Sequence, residues 1–132
     1  MGARGRCGTG AGDLRGSLSR AIELSAWDLP EFSAAQKPIG EIIDHDLFIN
    51  CVYLREPIAP MIDESLLARN ARLSVISDVS CDPTSADNPI RVYNRITSLE
   101  QPFVRARDGS AKPVYVQAID HLPTLLPREA SQ

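Results

Sequence analysis

Glycines crowd the first twelve residues of the chain, and an acidic residue follows them at a spacing known from nucleotide-binding loops. Residues 2–12 contain five of the eight glycines. Glycine lets a chain turn tightly and lets backbone amides approach an anion such as a pyrophosphate. Asp28 lies 20 residues after Gly8, where a dinucleotide-binding fold places an acid that accepts hydrogen bonds from the ribose. The pattern predicts a dinucleotide site that prefers NAD to NADP, because Asp28 would repel a 2'-phosphate.

The segments that must position this loop alternate between helical and strand-like patterns. Apolar residues at helical spacing predict a helix over 13–24, capped by Asp13, and another over 58–70, while 38–45 can form one or two helical turns. Apolar runs predict strands over 46–54, 72–79 and 113–119, and 23–28 is a shorter apolar stretch. Residues from 80 to 113 are rich in turn formers and predict irregular or hairpin-like structure. A helix starts again over 124–131.

This alternation favours an α/β fold, a Rossmann-like doubly wound parallel sheet. In such a fold a buried strand precedes the glycine loop, but only residues 1–4 do so here. We therefore expect residues 1–132 to be a partial NAD(H)-binding domain, truncated at the first strand and at the C-terminal helix.

Composition excludes several classes of function. The chain has 14 basic and 17 acidic residues and a formal net charge of -3, with no long block of one sign, so no nucleic-acid partner is expected. No apolar run is long enough to cross a membrane, and no signal peptide follows Met1, so we expect a cytoplasmic protein with a small-molecule partner. The three cysteines are too widely spaced for a paired metal site, and no metal is expected.

The glycine run leaves a second enzyme class open. The strict G-x-G-x-x-G spacing is absent, because Asp13 stands in the third glycine's place. Residues 8–12 also read as the G-x-G-x-G loop of an S-adenosylmethionine methyltransferase, although that loop normally has an acid where Arg6 stands. A flexible segment without function is a further alternative, which Asp28 and the following helix disfavour.

Five ordered blocks of sequence together resemble one enzyme family. They are GRCGTGA (5–11), WD (27–28), DLFINCVYL (46–54), SVISDVSCD (74–82) and IDHLPTLLPREAS (119–131). The chain is similar in these blocks to fungal-type saccharopine dehydrogenases (NAD, L-lysine-forming). That family has two Rossmann-like domains, belongs to the alanine dehydrogenase and transhydrogenase-like superfamily, and is monomeric. The resemblance implies oxidative cleavage of saccharopine to lysine and 2-oxoglutarate with NAD, in lysine biosynthesis by the α-aminoadipate route.

The resemblance also implies roles for individual positions. Gly5 and Arg6 would contact the pyrophosphate and Asp28 the ribose. The remaining cofactor contacts would be Tyr53, Val79, Ile119, Asp120, His121 and Leu122. The substrate contacts would be Ser80, Cys81 and Asp82. A family threonine that contacts the cofactor has no counterpart around Phe32 and Ser33, where the alignment needs a gap.

No catalytic residue is expected in this chain, because the family's acid/base lysine and histidine lie in the other domain. The chain alone is therefore expected to be inactive. Two interpretations stay open: a portion of a true dehydrogenase, or a shortened paralogue that keeps only a binding role. Cys7 and Cys51 match two family cysteines that can form a disulfide, although each could equally be an ordinary thiol.

Overall fold

The computed structural model describes residues 1–28, 30–31, 38–54, 56–70, 72–80, 82–107 and 112–121. Within these ranges, the elements with both ends described are two α-helices, a 3-10 helix and four strands, and residues 30–31 are also helical. In chain order they are α1 (Arg6–Ser17), the 3-10 helix (Pro38–Asp44), β1 (Leu47–Asn50), α2 (Glu64–Ala68), β2 (Val75–Asp78), β3 (Val104–Arg105) and β4 (Tyr115–Gln117). The helix expected over 124–131 lies outside the described residues.

The four strands form one sheet in the order β1-β2-β4-β3. β1, β2 and β4 are parallel, whereas β3 runs antiparallel to β4 at the edge. The register pairs Asn50 with Asp78 and Ser77 with Gln117, so the carboxyl ends of the three parallel strands meet at one edge. The predicted α/β class is confirmed, and the largely parallel open sheet is consistent with a Rossmann-like fold. The hairpin-like excursion expected after residue 80 is present as β3 and its return into β4.

The core forms where the apolar residues of the parallel strands meet those of the connecting segments. Ile76 in β2 and Val116 in β4 have no exposed surface, and Phe48 in β1 is 4% exposed. Ile62 and Ile90, which pair as an isolated bridge, are also completely buried. Burial of branched side chains on a pleated surface stabilises each strand and holds the irregular segment 82–103 against the sheet.

Helix α2 is shorter than the helix predicted over 58–70, because the residues before it form other hydrogen bonds. Met61 N–H and Ile62 N–H both donate to the carbonyl of Pro89, at 2.8 and 3.1 Å. The helix starts only after Asp63, whose Oδ1 accepts from Leu66 N–H at 2.8 Å as an N-cap. Pairing with the segment at Pro89 and Ile90 therefore overrides the helical periodicity of residues 58–62.

Helix α1 corrects the prediction of a helix over 13–24. It begins at Arg6 and ends at Ser17, so Gly8, Gly10 and Gly12 lie inside the helix. The apolar positions that predicted a buried face are exposed, Leu14 at 61% and Leu18 at 50%, and no residue of α1 is buried. The helical spacing of apolar residues continues to residue 24, but the backbone becomes extended at Leu18. The predicted helix end was therefore too late.

Candidate functional site

The first residues of the chain form a turn that is held between β1 and the segment at Trp27. Met1 N donates to the carbonyl of Ile49 at 2.9 Å, and Cys51 N–H donates to the carbonyl of Met1 at 3.0 Å. On the other side, Ala3 N–H donates to the carbonyl of Trp27 at 3.1 Å. Residues 1–3 are therefore hydrogen-bonded on both sides, as the end of a strand between two neighbours would be. The predicted apolar stretch 23–28 forms no regular secondary structure.

Two glycines are required by this turn, and one of them was not singled out from the sequence. Gly2 has a φ of 73°, and a Cβ there would lie 2.5 Å from the carbonyl oxygen of Cys51. A Cβ on Gly8 would lie 2.2 Å from the carbonyl oxygen of Gly2, whereas Gly10 and Gly12 have no atom within 4 Å of such a Cβ. The tight approach is thus between the Gly2 turn and the first turn of α1.

The position of these glycines also bears on the methyltransferase alternative. Gly8, Gly10 and Gly12 lie inside α1, whereas a G-x-G-x-G loop would need them ahead of the helix. Gly5 is the N-cap of α1 and offers no side-chain hydrogen bond to the helix. The N–H groups of the first helical turn, starting at Arg6, are therefore not capped by that side chain, and the positive end of the helix dipole lies at the turn.

Asp28 lies at this turn, as the sequence predicted. Its Oδ2 accepts from Arg4 N–H at 2.7 Å. A second carboxylate, which sequence reasoning missed, stands beside it: Glu31 Oε2 accepts from Asp28 N–H at 2.9 Å, and Glu31 Oε1 lies 3.3 Å from the Arg4 guanidinium. Backbone N–H donors lower the pKa of Glu31, and the charge of Arg4 lowers it further. The turn therefore carries two carboxylates, those of Asp28 and Glu31, next to Arg4.

The predicted contacts Tyr53, Val79 and Ser80 lie together at the carboxyl edge of β1 and β2. Val79 N–H donates to the carbonyl of Asn50 at 2.9 Å, and Ser80 Oγ donates to the carbonyl of Val52. Tyr53 is 87% exposed and Val79 is 38% exposed. The side chains of Tyr53 and Val79 are therefore available to a ligand. The two hydrogen bonds join the segment after β1 to the segment after β2. Asp82 is exposed in the segment that follows, and Cys81 lies outside the described residues.

A buried network of hydrogen-bonded polar side chains supports the carboxyl edge of β1 and β2. Asp78 accepts from Asn50 Nδ2 at 2.9 Å and from the Tyr93 hydroxyl at 2.6 Å. Asn50, Asp78 and Tyr93 are 0, 2 and 2% exposed. Asn50 Oδ1 also accepts from Val52 N–H at 3.3 Å, so the network fixes the chain just before Tyr53. The sequence contains a signal for this network, because a polar residue ends each of two largely apolar strands: Asn50 in β1 and Asp78 in β2.

The end of β4 carries the remaining predicted cofactor contacts at the same edge of the sheet. Ile119 pairs with Thr97 as an isolated bridge, and Thr97 Oγ1 accepts from Ala118 N–H at 2.9 Å. His121 Nδ1 lies 2.7 Å from Asp120 Oδ2, and His121 has a φ of 56°. Asp120 and His121 therefore shape a turn directly after the strand, and Leu122 lies outside the described residues.

Cys7 and Cys51 are both free thiols, exposed and half-buried respectively. Burial raises the pKa of the Cys51 thiol, and the nearby charge of Cys7 raises it further. The disulfide between Cys7 and Cys51 stays a prediction. Among the described residues no group of three or more metal-ligating side chains occurs. His45 instead makes hydrogen bonds of 2.9 Å with Ser25 Oγ and with the carbonyl of Glu41.

No helix in the described part of the chain has both the length and the apolar character needed to cross a membrane.

Comparison with known proteins confirms the resemblance predicted from the sequence. No family model matches the chain. Curated relatives do match along all of it, and they are fungal saccharopine dehydrogenases [NAD(+), L-lysine-forming]. The protein of Yarrowia lipolytica is 46% identical over 134 residues, and that of Candida albicans is 44% identical over 134 residues. The Schizosaccharomyces pombe protein is 44% identical over 135 residues. The chain spans about a third of the length of these relatives, 35 to 36%.

Proposed function

We propose that this chain is the nucleotide-binding portion of an NAD-dependent, lysine-forming saccharopine dehydrogenase. The similarity of the whole chain to such enzymes at 44 to 46% identity carries the proposal. The geometry supports it independently, because an acidic residue stands at a glycine turn that leads into a helix. The parallel strands beside that turn direct their carboxyl ends to one edge, which is where ligands of open α/β sheets bind.

The glycine turn would hold the pyrophosphate. Gly5 and Arg6 form the start of α1, where free N–H groups and the helix dipole favour an anion. The Arg6 guanidinium would add a positive charge to the same site. Gly2 and Gly8 keep this turn close to the helix, since a Cβ at either position would collide with backbone atoms.

Asp28 would accept hydrogen bonds from the adenosine ribose. Its Oδ2 is engaged by Arg4 N–H, and a carboxylate can accept several hydrogen bonds at once. Glu31 adds a second negative charge beside it. Both charges would repel a 2'-phosphate, so the preference is for NAD over NADP.

The carboxyl edge of the sheet would complete the cofactor site and contact the substrate. Tyr53 and Val79 would lie along the nucleotide, with Ile119, Asp120, His121 and Leu122 on the nicotinamide side. Ser80, Cys81 and Asp82 would contact saccharopine. The assignment of Ser80 is supported by its position after β2, two residues beyond the buried Asp78.

The reaction would cleave saccharopine to lysine and 2-oxoglutarate. NAD supplies a hydride acceptor for oxidation of the secondary amine, and water then hydrolyses the resulting imine. The residues of this chain would bind and orient the cofactor and one face of the substrate. General acid/base groups with tuned pKa values are still needed for the hydrolysis. We place them, as the resemblance implies, in the part of the protein that this chain does not cover.

The resemblance extends the proposal to the whole protein: a cytoplasmic monomer whose partners are saccharopine, lysine and 2-oxoglutarate. A non-catalytic paralogue that only binds NAD is the remaining alternative. Saccharopine-dependent NADH formation by the protein that carries this chain distinguishes the two.

The experiment that tests the cofactor site compares NADH and NADPH binding by fluorescence titration. We expect the chain to bind NADH at least about tenfold more tightly than NADPH, since charge-assisted hydrogen bonds contribute about 1.5–3 kcal/mol. Asp28→Ala should weaken NADH binding and move the affinity ratio toward NADPH. Asp13→Ala, which removes the same charge from exposed helix α1, is the matched control and should leave the ratio unchanged. Equal affinity of the unaltered chain for both cofactors would contradict the assignment.

A further inference from the structure

A small cavity of about 380 Å³ lies beside the segment that follows the predicted substrate contacts. Its polar walls come from Ser85, Asn88, Arg91, Tyr93 and Arg107, and we call it the Arg91 pocket. The volume falls within the range of small-molecule sites, about 300–1,000 Å³. Of the described residues that line it, none is acidic and two carry a permanent positive charge.

The backbone places both arginines firmly. Arg91 stands between Ile90 and Val92, which are completely buried, and its N–H donates to the carbonyl of Ile62 at 2.9 Å. Arg107 N–H donates to the carbonyl of Val92 at 2.7 Å. The two arginines therefore extend from neighbouring, hydrogen-bonded segments. Both arginine side chains are exposed, and the fixed backbone beneath them lowers the entropy that is lost when a ligand binds.

The two guanidinium groups keep donors available. Arg91 Nη2 donates to the carbonyl of Ala86 at 3.1 Å, which leaves most of its five N–H groups unused. Neither Arg91 nor Arg107 forms a salt bridge with a described residue. Paired N–H groups of a guanidinium match the two oxygens of a carboxylate in a planar, bidentate contact.

A buried amide adds a third donor. Asn88 is 5% exposed, and its Oδ1 accepts from Ile90 N–H at 2.8 Å. Since that N–H can only donate, the other terminal atom of Asn88 is the NH2 group, and it donates to none of the described residues. Buried polar groups are almost always hydrogen-bonded, so an unused donor in the wall of a cavity indicates a missing acceptor.

The wall of the pocket is connected to the carboxyl edge of the sheet. Tyr93 lines the pocket and donates its hydroxyl to Asp78, two residues before Ser80. The Tyr93 hydroxyl is thus already committed. The side-chain donors left for a ligand are those of Arg91, Arg107 and Asn88, together with the hydroxyl of Ser85, whose oxygen accepts from Asp87 N–H at 3.1 Å.

We propose that the Arg91 pocket binds the carboxylate group of a small organic anion through Arg91, Arg107 and the Asn88 amide. All three groups donate hydrogen bonds, two are cationic, and their planar geometry suits a carboxylate better than a tetrahedral phosphate. The site does not depend on the proposed dehydrogenase activity. If NADH binding fails the test above, the carboxylate proposal is unaffected. If the Arg91 pocket binds no carboxylate, the cofactor proposal is unaffected.

The test is an NMR titration of the full chain with glutarate and, separately, with inorganic phosphate, at ionic strength balanced with chloride. We expect saturable shifts of the Asn88 side-chain amide and of backbone amides in 85–93, with glutarate binding more tightly than phosphate. Arg91→Gln and Arg107→Gln should each weaken glutarate binding at least about tenfold. Arg105→Gln, in β3 and outside the pocket, should not.

A further variant addresses the amide without disturbing the loop. Asn88→Asp keeps the oxygen that accepts from Ile90 N–H but replaces the free donor with a negative acceptor, and it should abolish glutarate binding. Tighter binding of phosphate than of glutarate would overturn the carboxylate assignment. Shifts that do not saturate, or that persist in Asn88→Asp or in both arginine variants, would overturn the site itself.

Discussion

Replacing Gly8 by alanine and replacing Gly10 by alanine should have opposite effects on stability, although both glycines lie in helix α1. Alanine is favoured over glycine inside a helix by about 0.5–1 kcal/mol. Nothing lies within 4 Å of a Cβ added at Gly10, but one added at Gly8 would lie 2.2 Å from the carbonyl oxygen of Gly2. Gly10→Ala should therefore stabilise the chain by up to about 1 kcal/mol.

The cost of Gly8→Ala follows from the movement it requires. Ordinary contact begins at 3.4 Å, so the Gly2 turn must retreat by about 1.2 Å, the difference between 3.4 and 2.2 Å. Three of the hydrogen bonds that hold the turn join it to other segments through backbone atoms: Met1 N to Ile49, Cys51 N–H to Met1 and Ala3 N–H to Trp27. At about 0.5–1.5 kcal/mol each, loss of two of them outweighs the gain in helix propensity. We expect a net destabilisation of about 1–2 kcal/mol.

Urea denaturation followed by tryptophan fluorescence measures both effects. Trp27 is the only tryptophan in the chain, and its carbonyl accepts a hydrogen bond from the turn, so its emission reports on this region. Gly8→Ala should lower the denaturation midpoint and also weaken NADH binding, because the turn is displaced. If Gly8→Ala is as stable as Gly10→Ala, the close approach between the turn and the helix is refuted.

Three further predictions concern other parts of the chain. Tyr93→Phe should destabilise the chain by about 2 kcal/mol in urea denaturation, since it removes a hydrogen bond to the buried Asp78 carboxylate; an unchanged midpoint would show that the bond contributes nothing. Asp63→Ala should cost about 1 kcal/mol at neutral pH. Hydrogen bonds from Ser65 and Leu66 lower the pKa of Asp63, so its contribution is present above the usual carboxyl pKa and lost as the pH falls through the lowered value; denaturation of variant and unaltered chain should therefore converge in acid. Mild oxidation should link Cys7 to Cys51, faster at alkaline pH because the pKa of Cys51 is raised, and peptide mapping that finds both thiols still free would contradict the pairing.

Part of the candidate site could be read from the sequence because it depends on spacing along the chain. The separation between the glycines and Asp28 placed an acid at the turn, and the structure puts Asp28 Oδ2 2.7 Å from Arg4 N. The apolar runs around Phe48 and Ile76 identified two parallel strands, since only buried strands tolerate such composition. These features are local, so neighbouring residues determine them.

The start of α1 could not be read in the same way. Helical periodicity of apolar residues pointed to residues 13–24, yet the helix begins at Arg6 and its apolar residues are exposed. The helix start approaches the rest of the chain closely: a Cβ at Gly8 would lie 2.2 Å from the carbonyl oxygen of Gly2, and one at Gly2 would lie 2.5 Å from that of Cys51. Neither close approach produces a periodic pattern in the sequence.

The sequence by itself determined the α/β class, the parallel strands, the glycine turn with its acid and the resemblance to saccharopine dehydrogenases. Only the tertiary structure brought Tyr93 to the buried pair Asn50 and Asp78, and Arg107 beside Arg91. The physical reason is that strand patterns and loop spacings depend on residues that are consecutive in the chain. Buried hydrogen bonds and pockets arise from residues distant in sequence, which meet only when the sheet has formed.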